Sequence, residues 1–203
     1  MPHTRKASWI MSALLAGALL AGCGGAQTAT PAATVPAATV TAPAAELSAE
    51  AYFAQGNAAY EQGDFQTAAE AFQQAATLEP DNVGYWHNLG VAFYNLNNLQ
   101  EAQASFLRGL ALTPDDAELN YLMGVVSIQF EQLSEAETYL TRANTLDPAL
   151  PEPYFGLGVL YKLQGQREQA IAAFEKFLEI GPGQDPAAKP IAESELETLR
   201  AGQ

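Results

Sequence analysis

Residues 83–116 read VGYWHNLGVAFYNLNNLQEAQASFLRGLALTPDD, and their spacing decides the fold. Trp86, Leu89 and Phe93 fall three and four residues apart, the interval that lines side chains along one face of a helix. The same frame recurs on both sides of this stretch. With Ala49, Val83, Ala117 and Pro151 as first positions of 34-residue copies, glycine takes the eighth place each time, at Gly56, Gly90, Gly124 and Gly158. Alanine takes the twentieth, at Ala68, Ala102, Ala136 and Ala170, and proline the thirty-second, at Pro80, Pro114, Pro148 and Pro182. A fixed period of this length marks an array of small units that each bury an apolar face on the next.

Each copy is expected to be a pair of antiparallel helices. The small Gly and Ala let the two backbones approach, larger residues such as Phe106 fill the space beside them, and the proline ends the second helix because it cannot donate to the ladder. Ser48 is placed to cap the first helix, with Leu47 and Tyr52 spaced as a hydrophobic staple, and Asp64 to cap the second. Asp81-Asn82 and Asp115-Asp116 stand where the next pairs begin, so the array is entered near residue 47.

The pattern resembles the tetratricopeptide repeat family over residues 49–184. The resemblance implies an all-α chain, an α-solenoid of four tetratricopeptide helix pairs (49–82, 83–116, 117–150 and 151–184) whose first helices line a concave groove. It further implies that the second, fifth, sixth, ninth, twelfth and thirteenth places face that groove. In this sequence they supply Phe53, Asn57 and Tyr60, then His87, Asn88, Val91 and Tyr94, then Tyr121, Leu122, Val125 and Ile128, then Phe155, Val159 and Lys162. Chaperone-binding members of the family clamp a terminal carboxylate with cations and asparagines. Asn57 and Asn88 match the asparagines, but Phe53 and Leu122 stand where cations are required, so an aromatic and aliphatic trough for a peptide or helix is expected instead, the alternative for each residue being that it packs between neighbouring helices.

Four residues depart from the family pattern: Asn120 and Ser127 replace bulky apolar side chains, Glu131 replaces the small turn residue, and Arg167 stands where Phe65, Leu99 and Leu133 are apolar. Each is expected to weaken packing locally. Residues 185–203 carry a last helix, roughly 187–200, with Ala188, Ile191, Ala192, Leu196 and Leu199 on one stripe, suited to capping the array.

Upstream, Arg5 and Lys6 precede an uncharged apolar run, Trp9 to Gly22, which at about 1.5 Å per residue is too short for the ~30 Å hydrocarbon core. Residues 1–22 therefore read as a signal peptide. Its end, Leu20-Ala21-Gly22-Cys23, resembles the lipobox of bacterial lipoproteins, which implies lipidation of Cys23 and a membrane anchor. An ordinary cut nearby, leaving a free thiol, is the alternative. Residues 23–46 hold that cysteine and an Ala/Thr/Pro-rich stretch suited to an extended tether without a core of its own.

Nine Lys+Arg against 23 Asp+Glu give a net charge of -14, which excludes a phosphate-dominated partner, so no nucleic acid is expected. After Cys23 the sole histidine is His87, too little for a zinc site or a His-dependent centre; no cofactor, no metal and no enzymatic activity are expected. The expectation is a lipid-anchored scaffold of the cell envelope, monomeric as a soluble domain, that binds an unidentified envelope protein or peptide. It would sit in the outer membrane of a diderm, or on the outer face of a monoderm's cytoplasmic membrane. A self-associating structural lipoprotein is the alternative, with a small enzyme or cofactor binder behind it.

Overall fold

The structure, a computed structural model, describes residues 47–183 and 185–202. The expected signal segment, Cys23 and the tether up to residue 46 lie outside the described residues, as does Gln184. Among the described residues the chain forms nine helices and no strand: α1 Ala49–Glu61, α2 Phe65–Leu78, α3 Val83–Asn95, α4 Leu99–Leu112, α5 Ala117–Gln129, α6 Leu133–Leu146, α7 Glu152–Leu163, α8 Arg167–Ile180 and α9 Ala188–Ala201. The first eight form four consecutive pairs, each pair packing on the next, and α9 packs on α8 as the first helix of a further pair would.

Short polar side chains start α1, α2, α3 and α5. Ser48 Oγ accepts from the Ala51 amide at 3.2 Å, Asp64 from Thr67 at 3.1 Å, Asn82 from Gly84 at 3.1 Å and Asp116 from Leu119 at 2.9 Å. Each satisfies an amide that the helix itself leaves without an acceptor. Leu47, expected to form a staple with Tyr52, is 48% exposed. Within each pair the turn uses one residue with positive φ, Gly63 (76°), Asn97 (60°), Glu131 (59°) and Gly165 (73°), so Glu131 holds a left-handed conformation that glycine adopts more easily.

Close approach of paired helices explains the eighth-place glycines. A Cβ on Gly56 would sit 2.5 Å from Phe72, on Gly124 2.6 Å from Leu140 and on Gly158 2.6 Å from Phe174, with the same clash between Gly90 and Phe106. The opposing residue is the twenty-fourth of its repeat every time, and the twentieth-place alanines beside it are fully buried.

Successive repeats are tied by a second recurrent device. Trp86 Nε1 donates to the Pro80 carbonyl (2.6 Å), Asn120 Nδ2 to that of Pro114 (3.1 Å) and Tyr154 Oη to that of Pro148 (3.4 Å). All three donors occupy the fourth place. Asn120, expected to weaken packing, is buried and also donates to the Asp116 carbonyl at 2.7 Å, so it exchanges apolar contact for two hydrogen bonds. Arg167, expected to do the same, donates to the Arg200 carbonyl at 2.9 Å and so fastens the end of α9.

The core is continuous from α3 to α9, and α5 lies at its centre, with every residue from Leu119 to Ile128 buried. A helix that is apolar on all sides must be surrounded on all sides. At the far end Ala188, Ala192, Leu196 and Leu199 of α9 are buried, while Glu193, Glu197 and Arg200 remain exposed. No described helix is long and apolar enough to cross a membrane.

Candidate functional site

The first helices of successive repeats are bridged by polar pairs that bypass the second helices, and these pairs mark the face opposite the second-helix layer. Asn95 Nδ2 on α3 donates to Tyr60 Oη on α1 at 3.2 Å and to the Val91 carbonyl at 2.8 Å. One repeat on, the Tyr94 phenol bonds Gln129 of α5, the same twelfth-to-thirteenth-place step. His87 Nε2 lies 3.6 Å from Glu118 Oε1, joining α3 to α5 when the imidazole is protonated. Lys162 Nζ meets Glu195 Oε2 at 2.5 Å and joins α7 to α9.

Burial varies along this face. Phe53, Asn57, Tyr60, His87 and Asn88 are half-buried. Val91, Tyr94, Tyr121, Leu122, Val125, Ile128, Phe155 and Val159 are buried. The exposed aromatic and aliphatic trough expected across all four repeats is thus corrected: most of its apolar members are interior, packed in the core cluster that runs from α3 to α9. The accessible part belongs to the first two repeats and the edge of the third. Asn88, matched to a clamp asparagine, turns its amide back to the Gly84 carbonyl at 2.7 Å.

Burial also sets the phenol chemistry. It pushes Tyr94 up to about 12, against the small opposing effect of the Gln129 bond. Tyr60 is raised by burial and eased back by Asn95. Tyr121 is held far above the usual tyrosine range, by burial first and then by the charges of Glu152, Glu118 and Asp185. Its hydroxyl is buried without a hydrogen-bond partner. These tyrosines stay neutral donors and acceptors throughout the physiological range.

The residues that organise this face but were missing from the candidate set are Glu118 and Glu152 at the second place, Asn95 and Gln129 at the thirteenth, and Glu195 on α9. The 34-residue register identifies the first four once the second and thirteenth places are read for polar side chains as well as apolar ones. Glu195 lies beyond the repeats and carries no such signal. Among the described residues no three His, Cys, Asp or Glu side chains converge as a metal ligand set.

Family models of the tetratricopeptide repeat match residues 53–117 and 87–151, and again 151–184, together well over half of the chain. The chain belongs to the tetratricopeptide repeat family. Among solved structures it is similar to a MamA protein, at 26% identity and a TM-score of 0.61, over 76% of this chain and 85% of that one. It is also similar to TTC0263, a thermophilic tetratricopeptide repeat protein of Thermus thermophilus, with a TM-score of 0.64 at 23% identity over 73% and 81% of the two chains. YrrB, described as a tetratricopeptide repeat protein with an unusual peptide-binding site, matches with a TM-score of 0.59 at 22% identity over 75% and 76%. The last two likenesses are of fold alone. No curated protein matches the chain in sequence.

Proposed function

We propose that this tetratricopeptide repeat chain is a non-catalytic scaffold, anchored by lipid on Cys23 to a membrane of the bacterial cell envelope, that holds a protein or peptide on its concave face. The observation that carries the reading is the repeat array itself, whose first helices leave half-buried aromatic and amide groups, Phe53, Asn57, Tyr60 and His87, on one accessible face. Such groups suit recognition, since they combine apolar area with hydrogen-bonding tips. They do not suit catalysis: His87, the one histidine after Cys23, has a carboxylate, Glu118 Oε1, 3.6 Å from its Nε2, and a single histidine leaves one possible base.

The anchor rests on Leu20-Ala21-Gly22-Cys23 closing an apolar run too short to span a bilayer. A thioether-linked diacylglycerol with a further acyl chain exceeds the two-signal requirement for stable attachment. Residues 24–46 then space the repeats from the lipid surface. Gly24 after the cysteine is not the aspartate that keeps lipoproteins at the inner membrane of many diderms, which favours the outer membrane there.

Two measurements test the reading. Cys23→Ser should move the protein from the membrane fraction to the soluble fraction, and retention in the pellet would refute the anchor. A photo-crosslinking residue at Asn57 should capture a partner in intact cells where the same probe at the exposed Gln73 of α2 does not; capture from Gln73 alone would place binding on the convex side.

A further inference from the structure

We propose that His87 and Glu118 form an acid-operated clasp, in which protonation of the imidazole fastens α3 to α5 at the border between the accessible and the buried parts of the concave face. The clasp goes beyond the scaffold reading and does not depend on which partner the face holds.

His87 stands at the fifth place of its repeat and Glu118 at the second place of the next. His87 Nε2 lies 3.6 Å from Glu118 Oε1, with 18% and 28% of the two side chains exposed, so water screens the pair only in part. Nε2 is buried and makes no hydrogen bond, which leaves the two groups neighbours without being bonded. Protonation makes both ring nitrogens donors and charges the ring, and a closure of less than about 1 Å then gives a charge-assisted bond. The other fifth places hold Phe53, Tyr121 and Phe155, so this is the one repeat junction at which that place gains a positive charge.

The surroundings leave the pair to respond alone. Helices α1, α2, α3 and α5 contain no lysine or arginine, so none of them sets a like charge against the protonated ring. The other titratable groups toward this face are Glu50, Tyr60 and Glu61 on α1, Tyr94 on α3 and Tyr121 on α5. Burial holds the three tyrosines neutral. Helices α2 and α4, which pack against α3, carry Glu70, Glu101 and Arg108, all exposed to solvent. Carboxylates ordinarily titrate near about pH 4, whereas histidine is the side chain whose charge changes between about pH 5 and 8. The carboxylate favours the charged ring, so the added stability is present at low pH and is lost as pH rises through the histidine range.

Thermal melting of the full-length protein and its variants, followed by far-UV circular dichroism at about pH 5.5 and about pH 7.5, tests the clasp across the histidine range. The parent and His87→Gln should melt within about 1 °C of each other at the higher pH, and the parent should melt about 1 to 3 °C above His87→Gln at the lower one. Glu118→Gln should remove that gain. His87→Lys, charged at both pH values, should melt above His87→Gln at both, a comparison that holds even where glutamine itself disturbs the packing. A difference between parent and His87→Gln that is the same at both pH values overturns the proposal, and so does a gain at low pH that survives Glu118→Gln. Absence of partner capture at Asn57 with the low-pH gain intact would sink the scaffold reading and leave the clasp standing.

Discussion

Phe53 and Phe155 are the same residue at the same place of the first and fourth repeats, yet Phe53 is half-buried and Phe155 is fully buried. Both rings sit 5.6 Å from the phenylalanine at their own twenty-fourth place, Phe72 and Phe174. The difference lies at the twenty-seventh place, where Phe155 also meets Phe177 at 5.3 Å and Phe53 has only Ala75 behind it and turns to Tyr85 of the next repeat. That contrast extends to the whole halves. The buried residues of α2 are five alanines and Phe72, while α5 buries Leu119, Tyr121, Leu122, Met123, Val125, Val126 and Ile128. One half is tightly filled and sealed; the other is alanine-built and keeps its concave face accessible. Since burial contributes about 25 cal/mol per Å² of apolar surface, the sealed half is the more stable and the open half the more available for binding.

Removing the seal gives the largest expected effect. A chain ending at Gly183 loses α9 with the buried Leu196 and Leu199, roughly 3 to 6 kcal/mol at ~1.5 to 3 each, an upper bound because the unfolded chain already buries some of that area. The Lys162–Glu195 and Arg200–Glu175 contacts go with it. The melting midpoint should drop, and the shortened chain should aggregate through the uncovered faces of α7 and α8. A midpoint unchanged from the full chain would show that the C-terminal half does not depend on its last helix.

Two phenylalanine truncations break or sharpen the comparison directly. Phe155→Ala should cost about 3 to 5 kcal/mol and speed amide exchange across α5 to α9, where the core is one cluster. Phe72→Ala removes as much ring from a fully buried site, but its exchange effect should stay within α1, α2 and α3 because coupling in a solenoid runs between neighbours. If Phe72→Ala speeds exchange in α7 and α8 equally, the two halves fold as one cooperative unit.

Much of this architecture was legible beforehand because its causes are local and repeat. A glycine facing a phenylalanine sixteen residues on, in three of the four copies, follows from spacings such as that of Gly56 and Phe72, and Ser48, Asp64, Asn82 and Asp116 cap helices through amides two or three residues away. The candidate face was only partly legible. Whether Tyr121 or Val125 meets water depends on how neighbouring helices pack around α5, which is not written at positions 121 or 125. Arg167 has the same history: its partner is a backbone carbonyl 33 residues later, which no composition records.

Asn120 provides a middle-sized test inside the sealed half. Its amide supplies donors to two carbonyls at a buried position, so Asn120→Ala should cost about 1 to 3 kcal/mol by leaving those acceptors short of partners. Tyr154→Phe, which removes the longer 3.4 Å bond to the Pro148 carbonyl at a partly exposed site, should cost less than about 1 kcal/mol. Chemical denaturation of both variants gives the order. A larger loss from Tyr154→Phe would mean that the fourth-place bond, rather than burial, governs the junction between repeats.

The smallest effect should carry the opposite sign. Glu131 and Asn97 occupy the same turn place at φ 59° and 60°, one in each half, and the other two repeats use glycine there. A left-handed conformation costs an ordinary L-residue roughly 1 to 2 kcal/mol, whereas asparagine tolerates it because its short side chain bonds locally. Glycine removes that cost but adds roughly 0.5 to 1 kcal/mol of unfolded-chain entropy. Glu131→Gly should therefore stabilise by about 0.5 to 1 kcal/mol, a rise in melting midpoint of about 1 to 4 °C for a domain of this size, since Glu131 is exposed and its backbone amide keeps its bond to the Ile128 carbonyl. Asn97→Gly should leave the midpoint within about 1 °C, as the relief and the entropy cost nearly cancel there. A fall with Glu131→Gly would show that this carboxylate supports the turn between α5 and α6, and a rise with Asn97→Gly that matched it would show that both turns carry the same strain whichever half they lie in.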